Sequence, residues 1–356
     1  MYPRMIIDLA KLRHNGQTLC QMAADRGITE LAFVTKVFCA DEEMVRVLQA
    51  TPCRYLADSR IENLARYPEG EQQKILLRLP MVSQAEEVVR HCDISFNSEV
   101  ATLTALSAAA QRLGKRHKVV LMIDLGDLRE GIFYENENKI LQTAQQVVND
   151  PNLELYGTAF NLTCYGSVLP SQENLNIFLT LTQRIEELAG YPLPFISGGN
   201  SSSIPVLLFE HTPFNFTNLR LGEALILGRE TACGKELSAL YQDVVTLEAE
   251  LVEVQEKPSY PIGEIGVNAF GEKAAYTDIG IRRRAIAAVG RQDMDCDGLI
   301  PLNPGVTVVG ASSDHLILDI TDSKESLQVG DTVQFKMNYG GVLRGFTSRY
   351  IHKKYL

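Results

Sequence analysis

The sequence predicts an α/β protein, a (β/α)8 TIM barrel followed by a C-terminal antiparallel β domain. Three observations support this fold class. The chain has 356 residues, enough for a barrel of about 200–250 residues and one further domain. Short apolar runs alternate with helical patterns up to about residue 230. After about Gly234, strand-like runs follow one another without helices between them.

Eight apolar or β-branched runs in the first part of the chain are typical of buried parallel strands. They are Leu31–Lys36, Tyr55–Arg60, Lys74–Pro80, Asp93–Asn97, Lys118–Leu125, Leu153–Leu162, Pro194–Gly198 and Asn218–Leu227. Eight strand–helix repeats predict a closed parallel barrel. An open doubly wound sheet is the alternative, but no Gly-x-Gly-x-x-Gly motif follows the first run.

Helical patterns fill the segments between these runs. One begins at Asp41-Glu42-Glu43-Met44, and another begins at Ser83-Gln84-Ala85-Glu86, which has the form of a capping box. Ser98-Glu99 precedes an alanine-rich helix, and Glu173–Leu188 has a long amphipathic pattern. These helices would cover the outside of the barrel.

The last third of the chain predicts a smaller sheet. Its strand-like runs are Leu247–Val254, Lys273–Asp278, Ala285–Val289, Val306–Val309, Leu316–Ile320 and Thr332–Lys336. The opening run Arg4–Leu9 also resembles a strand and is expected to join this sheet. The predicted divisions are therefore 1–9 for the joining strand, 10–234 for the barrel and 235–356 for the β domain.

Composition excludes several classes of protein. The formal net charge of -10 argues against a nucleic-acid partner, which would need a basic face. The seven cysteines are scattered and form no Cys-x-x-Cys pair, so we expect neither a disulfide scaffold nor a zinc ribbon, and a reducing cytoplasm is the expected location. No apolar run reaches the ~20 residues of a membrane span, and the N-terminus shows no signal pattern.

The catalytic residues of a barrel are expected at the C-terminal ends of its strands. Lys36 ends the first predicted strand, directly after an apolar run. Partial desolvation there would favour the neutral amine, which is the form that attacks a carbonyl. A solvated lysine at a strand end is the alternative interpretation.

Three further features indicate an anionic ligand. The loop Gly198–Ser203 follows strand seven, where barrel phosphate sites recur, and its glycines would let backbone N–H groups approach a phosphate. Arg220 lies on strand eight, and Arg129 lies in the loop after strand five. With Lys36 they suggest a phosphorylated ligand with a carbonyl group. Pyridoxal 5'-phosphate (PLP) fits that description, and so does the substrate of a sugar-phosphate aldol enzyme.

Six segments, in order along the whole chain, resemble the alanine-racemase-like, fold-type III family of PLP enzymes, and within it the ornithine racemases most of all. They are Ile6–Asn15, Phe33–Lys36, Asp124–Gly131, Gly199–Ser202, Leu219–Glu223 and Asn338-Tyr339.

This resemblance implies roles for individual residues. Lys36 would carry PLP as a Schiff base, Ser201 with its loop and Tyr339 would hold the phosphate, and Arg220 would face the pyridine nitrogen. The candidate cofactor ligands are Lys36, Asn161, Asn200, Ser201, Ser202, Arg220, Gly222, Glu223 and Tyr339. Arg129 and Ser313 are candidate substrate ligands, with Arg129 facing the carboxylate. The resemblance also implies a homodimer in which the β domain of one subunit completes the barrel mouth of the other.

Two positions depart from the family pattern. Ala40 stands where alanine racemases usually have a tyrosine, so one phosphate contact is missing or replaced. Arg291 stands where their second catalytic base is a tyrosine, and arginine is a poor base near neutral pH. Asp293 lies in the same segment, so the candidate catalytic residues are Lys36, Arg291 and Asp293.

The expected reaction is racemisation by two-base transfer of the α-proton, with an amino acid as the substrate. The resemblance points to ornithine, with lysine as a second substrate. A cationic side chain would need an acid such as Glu130, Glu223 or Asp293, although these acids could equally balance nearby arginines in a structural network.

Three alternatives stay open. The first is an alanine or broad-specificity racemase. The second is a PLP homeostasis protein, which would lack the β domain. The third is a metal-assisted D-amino-acid lyase, which would need a metal pair drawn from residues such as Asp314, His315 and His352. We expect no metal.

Overall fold

The computed structural model describes all residues except 211–213, 268, 269, 272 and 274. The chain forms two compact units, one of residues 10–242 and one of residues 1–9 with 243–356. The division follows residue 242, where the sequence predicts 234. The first strand, β1 (Arg4–Ile7), belongs to the second unit.

The unit of residues 10–242 is a parallel barrel, which confirms the predicted fold class. Its strands are β2 (Ala32–Val34), β3 (Tyr55–Asp58), β4 (Gln73–Leu76), β5 (Ile94–Asn97), β6 (His117–Asp124), β7 (Ile132–Phe133), β8 (Leu153–Ala159), β9 (Phe195–Ser197) and β10 (Arg220–Leu221). The strand order is β10-β2-β3-β4-β5-β6-β8-β9, and the short β7 pairs with β6 outside this ring. A parallel bridge between Ser197 and Asn218 joins β9 to the segment before β10 and closes the barrel.

Helices follow the strands of this unit. They are α1 (Leu9–Ala24), α2 (Glu42–Gln49), α3 (Ile61–Leu64), α4 (Ala85–His91), α5 (Val100–Leu113), α6 (Glu137–Asn149), α7 (Gln172–Ala189) and α8 (Glu223–Leu227). Asp41 caps α2 by accepting from the Met44 amide, and Ser171 caps α7 in a reciprocal capping box. The capping box predicted at Ser83 is wrong, because 82–84 form a 3-10 turn and α4 begins after Gln84 without a side-chain cap.

Alternate residues of the barrel strands form one buried apolar cluster. Tyr55 and Ala57 on β3, and Ile94 and Phe96 on β5, belong to it because successive side chains of a strand point to opposite faces. The Phe195 ring makes edge contacts with Tyr55 and Phe96, at centroid distances of 5.5 and 6.1 Å. Each fully buried aromatic side chain contributes about 1.5–3 kcal/mol.

The second unit is an antiparallel sheet with one helix. Its further elements are β11 (Val245–Pro258), β12 (Ile281–Ala287), β13 (Leu299–Pro301), β14 (Thr307–Ala311), β15 (Leu316–Asp319), β16 (Thr332–Met337), α9 (Tyr339–Thr347) and β17 (His352–Tyr355). The strand order is β13-β16-β11-β12-β15-β14. β1 pairs antiparallel with β11 and parallel with β17.

Two strand predictions are wrong. The run Asn218–Leu227 gives a strand only at Arg220–Leu221, because its apolar end forms helix α8. Of the run Lys273–Asp278, residues 273 and 275–278 form no strand, and 274 lies outside the described residues. The elements β13, α9 and β17 were not predicted from the sequence.

Candidate active site

Lys36 lies at the C-terminal end of β2. It begins a 3-10 turn, Lys36–Phe38, and its side chain is partly exposed. Cys39 and Ala40 follow with φ angles of 50° and 53°, an uncommon conformation for residues other than glycine. Their amides donate to the carbonyl oxygens of Lys36 (3.2 Å) and Thr35 (3.3 Å). This tight turn ends the strand and places Lys36 at the expected edge of the barrel.

A buried hydroxyl chain lies beside Lys36. Thr35 Oγ1 donates to Asp58 Oδ2 (2.6 Å) and lies 2.6 Å from the Tyr67 hydroxyl. Asp58 Oδ1 also accepts from the Arg60 amide (2.9 Å) and from Asn63 Nδ2 (3.0 Å). Burial raises the pKa of Asp58, while these hydrogen bonds oppose the rise. These hydrogen bonds hold Thr35, the residue directly before the lysine, in a fixed position.

Arg220 is buried on β10, with 3% of its surface exposed. Its Nη2 donates to the Phe160 carbonyl (2.8 Å) and to Asn161 Oδ1 (2.6 Å), and its Nη1 donates to Ser197 Oγ. Burial lowers the pKa of Arg220 to about 10, and the Glu130 carboxylate opposes this. The guanidinium is therefore still charged at neutral pH and held in a fixed orientation.

The loop after β9 has the geometry of an anion cradle. Asn200 Oδ1 accepts from the Ser202 amide (2.8 Å), which organises the turn Ser201–Ser203. The Ala224 amide donates to Ser201 Oγ (3.3 Å), so the loop contacts the start of α8. Gly199 has a φ of 94°, and a Cβ there would lie 2.6 Å from Ser203 Oγ. A side chain has no room at this position, and the bare glycine backbone can approach a bound anion closely.

These residues fit PLP on three observations. Ser203 Oγ is buried and has no hydrogen-bond partner among the described residues, so the loop holds a polar group that protein contacts do not satisfy. A Cβ on Gly222 would lie 3.1 Å from Val34 Cβ, so the end of β10 approaches the segment that bears Lys36. Hydroxyl donors, a fixed cation and a primary amine are the groups that a phosphorylated aldehyde requires.

Arg129 lies in the loop after β6, with 40% of its side chain exposed. Its Nη2 donates to Glu130 Oε1 (2.6 Å) and its Nε donates to Glu130 Oε2. Partial burial lowers the pKa of Arg129, but the hydrogen bonds to Glu130 together with the nearby charges of Cys164, Glu130 and Asp127 outweigh it and raise the pKa overall. Arg129 is therefore a permanent cation at the same end of the barrel.

The second unit contains the other predicted residues. Arg291 pairs with both oxygens of Asp297 at 3.0 Å, and Asp293 Oδ1 accepts from Ser348 Oγ (2.6 Å). The exposed Ser313 accepts the Gln292 amide through its carbonyl (3.0 Å), and Tyr339 begins α9.

The three acids suggested for a cationic side chain are all engaged elsewhere. Glu130 binds Arg129 and Asn161, Glu223 Oε1 accepts from Arg229 (2.6 Å), and Asp293 accepts from Ser348. The structural-network interpretation fits them better than a recognition role. Arg291 is balanced by Asp297, which is not among the predicted site residues.

Several residues that support the site were not predicted as site residues from the sequence. Ser197 and the Phe160 carbonyl hold Arg220, and Thr35 and Tyr67 complete the chain at Asp58. Asp58 lies two residues before the end of the predicted strand Tyr55–Arg60 and is the last residue of β3, so the strand-end rule could have found it. Tyr67 carried no such signal, because it follows α3 rather than a strand.

Among the described residues, no group of three or more His, Cys, Asp or Glu side chains could hold a metal ion. In the same part of the chain, no helix is both long and apolar enough to cross a membrane.

Residues 7–230 match the family model described as alanine racemase, N-terminal domain. The chain belongs to the alanine racemase family. An ornithine racemase from Acetoanaerobium sticklandii is 46% identical over 356 residues, which cover 100% of both chains. A lysine racemase from Thermotoga maritima is 36% identical over 357 aligned positions, covering 100% of this chain and 99% of that protein.

The fold is also similar to that of a solved structure. An alanine racemase from Bartonella henselae, solved with covalently bound pyridoxal phosphate, superposes with a TM-score of 0.75. The superposition covers 100% of both chains at 19% identity. The similarity of fold to this alanine racemase therefore extends over both units of the protein.

Proposed function

We propose that this protein is a PLP-dependent racemase that interconverts the L and D forms of a basic amino acid, ornithine first and lysine second. The observation that carries this proposal is the 46% identity to an ornithine racemase along the entire chain. A relative that acts on lysine also matches along the entire chain, which supports a basic substrate rather than alanine.

The cofactor would be held by the barrel residues. Lys36 would bind it covalently, and Asn200, Ser201 and Ser202, with Gly222 at the approach to α8, would hold its phosphate. Asn161 and Glu223 support the site through Arg220 and Arg229, and Tyr339 is proposed as a further phosphate contact. When bound, PLP supplies an electron sink for the charge left on the α-carbon.

Arg220 would favour proton transfer over other reactions. Its buried positive charge would keep the neighbouring pyridine nitrogen unprotonated, because two cations in contact repel each other. A weaker electron sink suits the removal and return of one proton better than decarboxylation. Lys36 would move that proton on one face of the substrate.

The base for the other face is proposed to come from the segment of Arg291 and Asp293. Arginine is a poor base, so Asp293 is the better candidate by chemistry. Arg129 would bind the substrate carboxylate, and Ser313 would add a substrate contact. The test is the rate at which the α-hydrogen exchanges with deuterated solvent, measured separately from each enantiomer. In Asp293→Asn, this rate should fall more for one enantiomer than for the other.

The cofactor assignment has a direct test. Protein incubated with PLP should absorb in the visible range, and borohydride reduction should fix the label on the peptide containing Lys36. Lys36→Ala should remove both signals, while Lys353→Ala should change neither. A label on another lysine would overturn the assignment.

The substrate assignment is tested by chiral chromatography of L-ornithine, L-lysine, L-alanine and L-serine after incubation with the loaded protein. We expect both enantiomers of ornithine and lysine to appear without release of carbon dioxide. Preference for alanine or serine would contradict the basic substrate, stoichiometric carbon dioxide would contradict the reaction type, and absence of turnover would favour a PLP homeostasis protein.

We also propose a cytoplasmic homodimer. All seven cysteines are free thiols, which suits a reducing compartment, and the family resemblance implies the dimer. Sedimentation of the active protein should give about twice the 39.5 kDa chain mass. An active monomer would contradict this proposal.

A further inference from the structure

A continuous chain of hydrogen bonds links the two arginines of the barrel site. Arg129 donates twice to Glu130, and Asn161 Nδ2 donates to Glu130 Oε1. Arg220 Nη2 donates to Asn161 Oδ1 at 2.6 Å. Asn161 therefore uses both ends of its amide, and Glu130 is the anion between two cations.

Glu130 binds only one edge of the Arg129 guanidinium. The carboxylate binds the Nε and Nη2 side of the guanidinium, and the side chain of Glu130 is only 16% exposed. The planar guanidinium has a second fork, formed by Nη1 and the remaining N–H of Nη2. That fork makes no hydrogen bond to any residue that the structure describes, so the end of Arg129 can still bind a carboxylate in a bidentate manner.

The charges support the same arrangement. Arg220 is buried beside Asn161, and a second cation on Arg129 would repel it if no anion lay between them. The Glu130 carboxylate favours the charged form of both arginines: it contributes to the raised pKa of Arg129, and it opposes the lowering of the Arg220 pKa by burial.

We propose that Glu130 is a positioning residue, which orients the free fork of Arg129 toward the α-carboxylate of the substrate and links that arginine to Arg220 through Asn161. This inference rests on the proposed function. It assigns Glu130 to carboxylate recognition and not to recognition of a cationic side chain, because both of its oxygens are already bound.

The test compares Glu130→Gln with two ligands that differ only in the α-carboxylate, L-ornithine and 1,4-diaminobutane. Their dissociation constants are measured from the change in the visible spectrum of the PLP-loaded protein. In Glu130→Gln, affinity for ornithine should fall about 10- to 100-fold, as expected when a charged hydrogen bond is misaligned. Affinity for 1,4-diaminobutane should stay within about twofold, and KM should rise more than kcat falls. Glu135→Gln is the matched control, because Glu135 is a nearby exposed acid just after β7, and its only side-chain hydrogen bond among the described residues is with Tyr134.

A double-mutant cycle supplies a second measurement. Arg129→Lys should lose ornithine affinity to a similar extent, and adding Glu130→Gln to it should cause little further loss, because both changes remove one interaction. Fully additive losses, or equal losses for both ligands, would overturn the inference. If Glu130→Gln does not fold, Glu130→Asp replaces it, with the charge kept and the side chain one methylene shorter.

Failure of the proposed function gives a different result. Wild-type protein that binds no PLP at Lys36, or racemises no amino acid, would overturn the function and this inference together. Wild-type protein that racemises ornithine while Glu130→Gln keeps the normal preference for the carboxylate ligand would overturn the inference alone.

Discussion

The hydroxyl group of Thr35 connects two buried polar side chains next to the candidate lysine. It is completely buried and lies between Asp58 and Tyr67, each at 2.6 Å. Since a threonine hydroxyl has one proton, the donation to Asp58 leaves Tyr67 to donate to Thr35. The hydrogen bonds therefore run in one direction, from Tyr67 through Thr35 to the carboxylate of Asp58.

Replacement of Thr35 by valine should leave Asp58 and Tyr67 without this partner in a buried site. We expect the free energy of unfolding to fall by about 1–3 kcal/mol. Urea unfolding of the purified variant measures it, and Thr35→Ser, which keeps the hydroxyl, should recover most of the loss. Equal loss in both variants would mean that the methyl group matters and the hydroxyl does not.

Arg220 gives a second prediction at the residue scale. A lysine at this position cannot reach Ser197, Phe160 and Asn161 together, because it lacks the planar guanidinium. Arg220→Lys should lower kcat for racemisation about 10- to 100-fold. The control is Arg46→Lys, which changes an exposed arginine paired with Glu42 on α2. Unchanged kcat in Arg220→Lys would contradict the role given to the guanidinium.

At the scale of elements, β6 contains a buried histidine. His117 begins the strand, is 2% exposed and lies 2.7 Å from Ser95 Oγ on β5. Burial lowers the pKa of His117 to about 4 from the ordinary 6.5. The unfolded chain therefore binds a proton between these values that the folded protein does not bind, and stability is lost as pH falls from 6.5 toward 4.

This histidine should contribute about 2 kcal/mol to the loss of stability between pH 7.5 and pH 5. Urea unfolding at both pH values measures the loss. His117→Asn should show a smaller decrease, because asparagine does not titrate in this range. The control His315→Asn, at an exposed position just before β15, should behave as the wild type does. An equal decrease in His117→Asn and wild type would contradict the assignment.

The elements also show where prediction from sequence succeeds and fails. The strand-end rule placed Lys36, Asn161 and Arg220 because it depends only on the order of strands in a barrel. The assignment of residues 223–227 to a strand failed, because a short apolar run has the same pattern in a buried strand and in a buried helix. Tyr67 could not be linked to Thr35, because their contact spans 32 residues and depends on how α3 returns the chain.

At the scale of the whole chain, the two ends meet in one sheet. Arg4 pairs with His352 and Ile7 pairs with Tyr355, while Ile351 is buried at 5% exposure. Removal of residues 351–356 should expose β1 on one side and lower the urea midpoint of unfolding. Lys354→Ala keeps the backbone and should be nearly neutral, because its side chain is exposed. An unchanged midpoint after truncation would show that β17 contributes little to the fold.

The pairing of β1 also sets an order for synthesis on the ribosome. Its first partner, β11, begins at residue 245, and its second partner, β17, begins at residue 352. At the ~5–20 residues per second of translation, roughly 20–70 seconds separate β1 from β17. The barrel residues are all made before β11, and until then Met5 and Ile7, which are fully buried in the finished protein, have no partner strand. The nascent chain thus carries an unpaired apolar edge for as long as the barrel takes to be translated, and it is this segment that a chaperone would have to shield from other chains.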